Sequence, residues 1–148
     1  MVRIVLDSNV IARAVISPNE PAAELLALIV CSEHQLCTSD FMLAELARVL
    51  AYPRLQKRHG LDDQAIVSFV RSIQEVSIVF EVDPPTVPKI TRDINDDPVI
   101  ATAVLSSSQY LCSFDKDILE PSVVKYCQSQ NTVVLDDVGL LNLLRGSL

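Results

Sequence analysis

Several acidic residues fall where the chain can bring their carboxylates together. Asp7 directly follows the short apolar run 3–6, and Asp115 lies two residues past another apolar run, 110–113. Runs of this kind predict strands of a parallel sheet, and ligands bind outside the carboxyl ends of such strands where the strand order reverses. Asp97 begins the helix that leads into the second run, so a right-handed crossover places it on the same edge of the sheet.

A fourth carboxylate, Glu45, lies at the edge of an apolar helical stripe in the segment 41–51, on the side shared with Phe41 and Arg48. Four converging carboxylates repel one another, and a divalent cation is the natural compensation. Mg²⁺ or Mn²⁺ prefers oxygen ligands and completes its coordination with waters and substrate phosphate. Such an ion polarises a phosphoryl oxygen and activates a water molecule, so the acids indicate metal-assisted phosphoryl chemistry.

Each acid also has an ordinary structural explanation. Asp7 and Asp97 belong to a residue type that is preferred at helix N-caps. Asp115 and Asp117 are common in turns, and acids such as Glu45 are common on helix surfaces. Only the joint occurrence of these acids in one arrangement favours a functional role.

The elements that must position these acids alternate along the chain. Five short apolar runs predict strands, at 3–6, 35–38, 76–80, 110–113 and 132–135. Helices are predicted between them at 10–16, 22–31, 41–51, 63–74 and 99–105, with Asp97 as the cap of the fifth, and a final helix is predicted at 138–144 after the last strand. Shorter pieces are a basic turn or helix at 54–59, a helical turn at 115–119 and a surface element at 121–129. The pattern predicts an α/β fold, a three-layer α/β/α sandwich around a mainly parallel sheet of five strands.

Composition narrows the class further. A chain of 148 residues suits one domain spanning 1–148, and 49% hydrophobic with 21% charged residues argues against wholesale disorder. No apolar run approaches the ~18–20 residues of a membrane span, and the N-terminus does not resemble a signal peptide, so a cytoplasmic protein without membrane contact is expected. Four cysteines without C-x-x-C spacing argue against zinc, and Cys37 and Cys112 are expected to be buried thiols.

Charge is unevenly distributed. The net charge of −7 argues against a protein that coats nucleic acid through a basic surface. Residues 1–74 nevertheless carry 7 positive and 8 negative charges, against 5 and 11 in residues 75–148. The positive charge near Glu45 comes from Arg48, Arg54, Lys57 and Arg58. This basic cluster could guide a phosphate backbone toward a metal ion, or it could be a solvated helix end that the helix dipole favours.

At these acids the sequence resembles the PIN (PilT N-terminus) domain family, whose members are Mg²⁺- or Mn²⁺-dependent ribonucleases. The resemblance spans nearly the whole chain, and four segments carry it: LDSNV at 6–10, SDFMLAEL at 39–46, NDDPVIATA at 95–103 and CSFDKDIL at 112–119. The resemblance implies that the catalytic metal ligands are Asp7, Glu45, Asp97 and Asp115, with Asp117 as a further ligand.

Three polar neighbours are candidates for supporting roles. Asn9 can orient a ligating carboxylate or the attacking water, and Ser8 and Ser113 can donate hydrogen bonds to carboxylates or phosphate.

Two positions depart from the family pattern. Phe114 stands where small or basic residues are common, which narrows the cleft. Pro98 follows the third acid where a polar residue is often found, so Asp96, or more remotely Asp93, could take the role of Asp97.

The resemblance also implies strand order 3-2-1-4-5, frequent homodimers and an endoribonuclease that leaves 5′-phosphate and 3′-hydroxyl ends. Many single-domain members of this size are toxins inhibited by a small antitoxin protein, so RNA and an antitoxin are the expected partners. One alternative is a catalytically inactive PIN-like module that binds RNA or protein. Another is a phosphoacceptor receiver-type domain, which the proline-containing stretch after the third strand disfavours.

Overall fold

The computed structural model describes residues 1–83, 88–91 and 96–146. Within them the strands are β1 Arg3–Leu6, β2 Gln35–Ser39, β3 Ser77–Phe80, β4 Tyr110–Cys112 and β5 Val133–Leu135. The helices are α1 Ser8–Ile16, α2 Pro21–Val30, α3 Asp40–Leu50, α4 Pro53–His59, α5 Asp63–Glu75, α6 Asp97–Leu105, α7 Pro121–Ser129 and α8 Asp137–Gly146.

The strands form one parallel sheet in the order β3-β2-β1-β4-β5, which confirms the expected order. Val5 in β1 pairs with Cys37 in β2 and Leu111 in β4. The chain builds outward from β1 in one direction and then restarts on its other side with β4. The strand order therefore reverses between β1 and β4, and ligands of parallel sheets generally bind outside the carboxyl ends of strands at such a reversal.

Two hydrophobic clusters cover the two faces of this sheet. Ile4 and Leu6 of β1 belong to one cluster, which also contains buried residues of α1, α2, α3, α5 and α8. Val5 belongs to the other, together with residues of α6 and α7 such as Ile100 and Cys127. Burial of each large apolar side chain contributes about 1.5–3 kcal/mol, so successive residues of one strand tie both helical layers to the sheet. This is the predicted three-layer α/β/α arrangement.

The element boundaries differ from the predictions where capping decides them. α1 begins at Ser8, two residues earlier than predicted, because Asp7 is its N-cap. Segment 115–119 is a hydrogen-bonded turn rather than a helix, with the Ile118 amide donating to the Asp115 carbonyl. The element at 121–129 is the helix α7.

The prediction that Asp97 caps its helix was wrong. Asp97 is the first residue of α6, the N-cap position belongs to Asp96, and the Asp96 side chain makes no capping hydrogen bond. Pro98 stands in the first turn, where its missing N–H costs nothing. Asp93 lies outside the described residues.

The four cysteines differ sharply in exposure. Cys31 is exposed, whereas Cys37, Cys112 and Cys127 are buried thiols, as expected for Cys37 and Cys112. Burial raises the pKa of all three buried thiols, that of Cys127 to about 11. The thiolate is the reactive form, so these three are protected both by access and by protonation.

We therefore expect DTNB to titrate about one thiol in the native protein and all four after denaturation in guanidinium, because only Cys31 is exposed and reactive. The measurement is the absorbance released at pH 8 with and without denaturant. A Cys31→Ser variant should release almost nothing in the native state. Rapid native reaction of two or more thiols would contradict this packing.

Candidate metal centre

Asp7 ends β1 and is fixed by hydrogen bonds on both of its carboxylate oxygens. Oδ1 accepts from the Ser8 amide at 2.8 Å, and Oδ2 accepts from the Ser113 hydroxyl at 2.7 Å. The residue is only 4% exposed, and this burial raises the pKa of the Asp7 carboxyl. The bonds from Ser113 and Ser8 oppose that rise, while the charge of Asp115 adds to it. Asp7 is thus both a helix cap and a carboxylate within electrostatic reach of Asp115.

The loop after β4 is held against this carboxylate. Ser113 is fully buried, and its hydroxyl, which donates to Asp7, accepts from the Asp115 amide at 3.0 Å. Asn9 accepts from the Phe114 amide through its side-chain oxygen at 3.4 Å. The side chains of Asn9 and Ser113 therefore fix the backbone that carries Asp115, which is a positioning role for both. Ser8 contributes its backbone amide to Asp7.

Three carboxylates meet beside this loop. Asp96, Asp115 and Asp117 each offer one oxygen, and these oxygens lie within 4.8 Å of one another. Asp115 also accepts from the Asp117 amide at 2.8 Å, which sets the spacing of the two acids in the turn. We call these three residues the carboxylate cluster. Asp96 is buried, and Asp115 and Asp117 are half-buried.

The carboxylate cluster fits a hard divalent cation. All three donors are oxygens, the ligand type that Mg²⁺ and Mn²⁺ prefer. Two oxygens bound at about 2.1 Å to one octahedral ion are separated by about 3–4 Å, so side-chain shifts of less than about 1 Å would suffice. Without a cation, three carboxylates this close repel one another.

Asp97 has a different environment from its neighbour Asp96. Its Oδ1 accepts three hydrogen bonds, from the Ile90 amide at 3.0 Å, the Thr91 amide at 2.7 Å and the Thr91 hydroxyl at 2.9 Å. Asp97 is not in the carboxylate cluster. The sequence alone named Asp96 only as a substitute, and its position two residues before Pro98, at the start of a helix, was the available signal.

Glu45 lines a cleft on α3. The cleft has a volume of about 320 Å³ and is lined by Phe41, Ala44, Glu45 and Arg48, the side of α3 that the sequence predicted. Glu45 Oε1 lies 4.0 Å from the Arg48 guanidinium, and its side chain is 20% exposed. Glu45 is not one of the three clustered acids.

The basic residues divide between two helices. Arg48 donates a hydrogen bond to the Tyr52 hydroxyl at 2.6 Å and lies against the Tyr52 ring. Arg54, Lys57 and Arg58 are exposed on α4. A further cation, Arg13, was not singled out by the sequence. Its guanidinium lies 4.6 Å from the centre of the Phe114 ring, directly beside the loop that carries Asp115.

Comparison with known proteins assigns the family. A family model described as a PIN domain matches residues 3–117, so this chain belongs to the PIN-domain family, whose members are nucleases. An uncharacterised protein of Methanocaldococcus jannaschii is 28% identical over 118 residues, covering 80% of this chain and 74% of the relative.

Solved structures show the same fold. The crystal structure of VapBC2 from Rickettsia felis, bound to a DNA fragment from their promoter, contains a chain matched with a TM-score of 0.57 and 12% identity, covering 90% of this chain and 98% of that one. The crystal structure of FitAcB from Neisseria gonorrhoeae contains a chain matched with a TM-score of 0.52 and 19% identity, covering 90% of this chain and 97% of that one.

Among the described residues, none of the helices has the length and the apolar composition that a membrane span requires.

The buried Asp7 carboxylate predicts a measurable stability effect. Its folded pKa is raised above the unfolded value near 3.8, so ionising Asp7 opposes folding once the pH exceeds that value. In EDTA we expect Asp7→Asn to have a higher free energy of unfolding than the unsubstituted protein at pH 7. This difference should vanish as the pH falls toward 3.8. Urea unfolding at several pH values is the measurement.

The matched control is Ser113→Ala, which removes the donor to Asp7 but leaves the buried charge. We expect it to lower the free energy of unfolding by about 1.5–3 kcal/mol at pH 7 in EDTA. An Asp7→Asn protein that is less stable than the unsubstituted protein at pH 7 would refute the assigned cost of burying this charge.

Proposed function

We propose that this protein is a metal-dependent endoribonuclease that hydrolyses RNA phosphodiesters with Mg²⁺ or Mn²⁺. The observation that carries the proposal is the carboxylate cluster at the strand-order reversal of a PIN-domain chain. The resemblance supplies RNA as the substrate class, and the all-oxygen donor set supports the cation.

The proposed ligands are the acids of this edge of the sheet: Asp7, Asp96, Asp115 and Asp117, with Glu45 facing the neighbouring cleft. A cation bound there supplies Lewis-acid activation of a water and charge stabilisation at the scissile phosphate. The protein's own contribution is preorganisation. Ser113 orients Asp7 and the Asp115 amide, and Asn9 holds the intervening peptide, so the acids need little reorganisation on binding.

In this proposal, cations on α1, α3 and α4 supply the electrostatic attraction for RNA. Arg48 flanks Glu45, and the exposed Arg54, Lys57 and Arg58 follow on α4. Arg13 adds a half-exposed guanidinium stacked on Phe114. Because the whole chain is acidic, such local positive charge matters for the path by which a phosphate backbone reaches the cluster.

We further propose that the protein acts as the toxin of a toxin–antitoxin pair in the cytoplasm, inhibited by a small partner protein, and that it forms homodimers. The fold likeness to chains of the VapBC2 and FitAcB structures supports a protein partner.

Cleavage of a mixed-sequence single-stranded RNA is the primary test. We expect cleavage with Mn²⁺ or Mg²⁺, none with EDTA, and a fall of about a hundredfold or more in Asp115→Asn, because the substitution removes a ligand charge. Asp63→Asn, at an exposed acid on α5, is the matched control and should keep full activity. The products should carry 5′-phosphate and 3′-hydroxyl ends.

Two results would contradict this function. Ends with 2′,3′-cyclic phosphate would show that the RNA 2′-hydroxyl is the nucleophile rather than a water. Absence of both Mn²⁺ binding and cleavage would favour the inactive RNA- or protein-binding module.

We expect removal of the basic residues of α4 to weaken substrate binding and to leave the rate of the hydrolytic step almost unchanged. We expect Arg54→Gln/Lys57→Gln/Arg58→Gln to raise KM and leave kcat almost unchanged. The slope of log K against log salt for single-stranded RNA should fall by about 0.7 for each lost phosphate contact. Arg71→Gln, an exposed arginine of α5, is the control with the same type of substitution. An unchanged salt slope in the triple variant would exclude α4 from the RNA path.

A further inference from the structure

We propose that the adjacent acids Asp96 and Asp97 have separate roles, with Asp96 as the cation ligand and Asp97 as the residue that positions it. This inference rests on the proposed metal-dependent function and assigns residues within that site. The sequence alone predicted Asp97 as the ligand and Asp96 only as a substitute.

The hydrogen bonds that Asp97 accepts hold the segment 88–91, and we call this arrangement the clamp. Its Oδ1 accepts from two successive amides and one hydroxyl, all at 3.0 Å or less. A carboxylate oxygen has about two lone-pair sites, so three donors saturate Oδ1 and leave no place for a cation on that atom. Asp97 is 2% exposed, and Thr91, which supplies two of the donors, is 4% exposed.

The Asp96 carboxylate lies in the carboxylate cluster, although Asp96 directly precedes Asp97 in the chain. Its backbone carbonyl accepts from the amides of Val99 and Ile100, which fixes the residue at the start of α6. Its side chain makes no capping bond to the helix, despite occupying the N-cap position where aspartate normally caps. One of its oxygens instead lies within 4.8 Å of carboxylate oxygens of Asp115 and Asp117.

The clamp and the ligand are mechanically linked. Hydrogen bonds from Thr91 to Asp97 join residues 91 and 97, and Asp96 lies between these two residues in the sequence. On the other side, the Thr102 hydroxyl donates to Ser39 at 2.9 Å, which ties α6 to the end of β2. Helix α6 is thereby held at two points, at Asp97 and five residues further on at Thr102, so the Asp96 carboxylate directly before the helix is presented to the cluster in a fixed position.

Asparagine separates the two roles. At position 97 it keeps an Oδ1 that can accept the three hydrogen bonds, so the clamp survives although the charge is lost. At position 96 it keeps the shape of the side chain but removes the anionic ligand. Alanine at position 97 removes the clamp. The second oxygen of Asp97 is buried and accepts no hydrogen bond from the described residues, so a ligand role through Oδ2 is the competing assignment that the experiment must exclude.

The experiment measures Mn²⁺ affinity by calorimetry and, in EDTA, amide hydrogen exchange at Ile90 and Thr91, in Asp96→Asn, Asp97→Asn and Asp97→Ala. We expect Asp96→Asn to weaken Mn²⁺ binding by about tenfold or more while exchange at Thr91 stays as in the unsubstituted protein. Asp97→Asn should bind Mn²⁺ within about threefold of the unsubstituted protein and keep its exchange protection. Asp97→Ala should lose about a hundredfold of protection at Ile90 and Thr91.

The outcomes separate this inference from the proposed function. Asp97→Asn that keeps exchange protection but loses Mn²⁺ binding as Asp96→Asn does would make Asp97 a ligand and overturn the inference alone. Unchanged exchange at Ile90 and Thr91 in Asp97→Ala would also overturn it, since the clamp would then hold nothing. An unsubstituted protein that binds no Mn²⁺ would overturn the proposed function, and the ligand role of Asp96 with it.

Discussion

The hydrogen bond from the Ser113 hydroxyl to Asp7 Oδ2 is the interaction on which this site depends. It joins the ends of β1 and β4, the two strands between which the order of the sheet reverses. Ser113 also accepts from the Asp115 amide, so one buried hydroxyl fixes a carboxylate on one strand and the backbone that carries a second carboxylate on the other. The bond stabilises the charged form of Asp7 against a burial that disfavours it. That burial makes the charged carboxylate costly for folding.

The hydrophobic layers explain why this polar contact can be held accurately. Ile4 and Leu6 anchor β1 to the helices of one face, and Val5 anchors it to the other, so β1 cannot shift without opening both clusters. The carboxyl end of β1 is consequently a rigid base for Asp7. Asp117 is positioned by its amide, which donates to the Asp115 carboxylate. Asp96 is positioned at the N-cap of α6 by its carbonyl, which accepts from the amides of Val99 and Ile100.

At this edge of the sheet, the arrangement of acids that forms the site lowers the stability of the folded chain. Repulsion among the carboxylates and the buried charge of Asp7 both oppose folding of the metal-free chain. Local hydrogen bonds offset part of this cost: those of Ser8 and Ser113 at Asp7, and those of segment 88–91 at Asp97. Ligand binding to the folded state would recover more, because a cation that binds only the folded protein shifts the equilibrium toward it.

The sequence by itself determined the architecture and the region of chemistry. Apolar runs without alternation require a sheet covered on both faces, and acids at the ends of those runs must lie at one edge of it, since parallel strands all end on the same side. The PIN resemblance added the strand order, which the sheet confirms.

Only the tertiary structure decided which acids meet. Periodicity locates Asp96 and Asp97 equally well, but the difference between their environments depends on segment 88–91, whose amides donate to Asp97. Glu45 is placed correctly on its helix face, yet whether it joins the clustered acids depends on how α3 packs, which no local pattern encodes. Side-chain direction at a helix start is set by hydrogen-bond partners that are distant in sequence, and that is the physical reason why the pattern could locate the site but not assign its ligands.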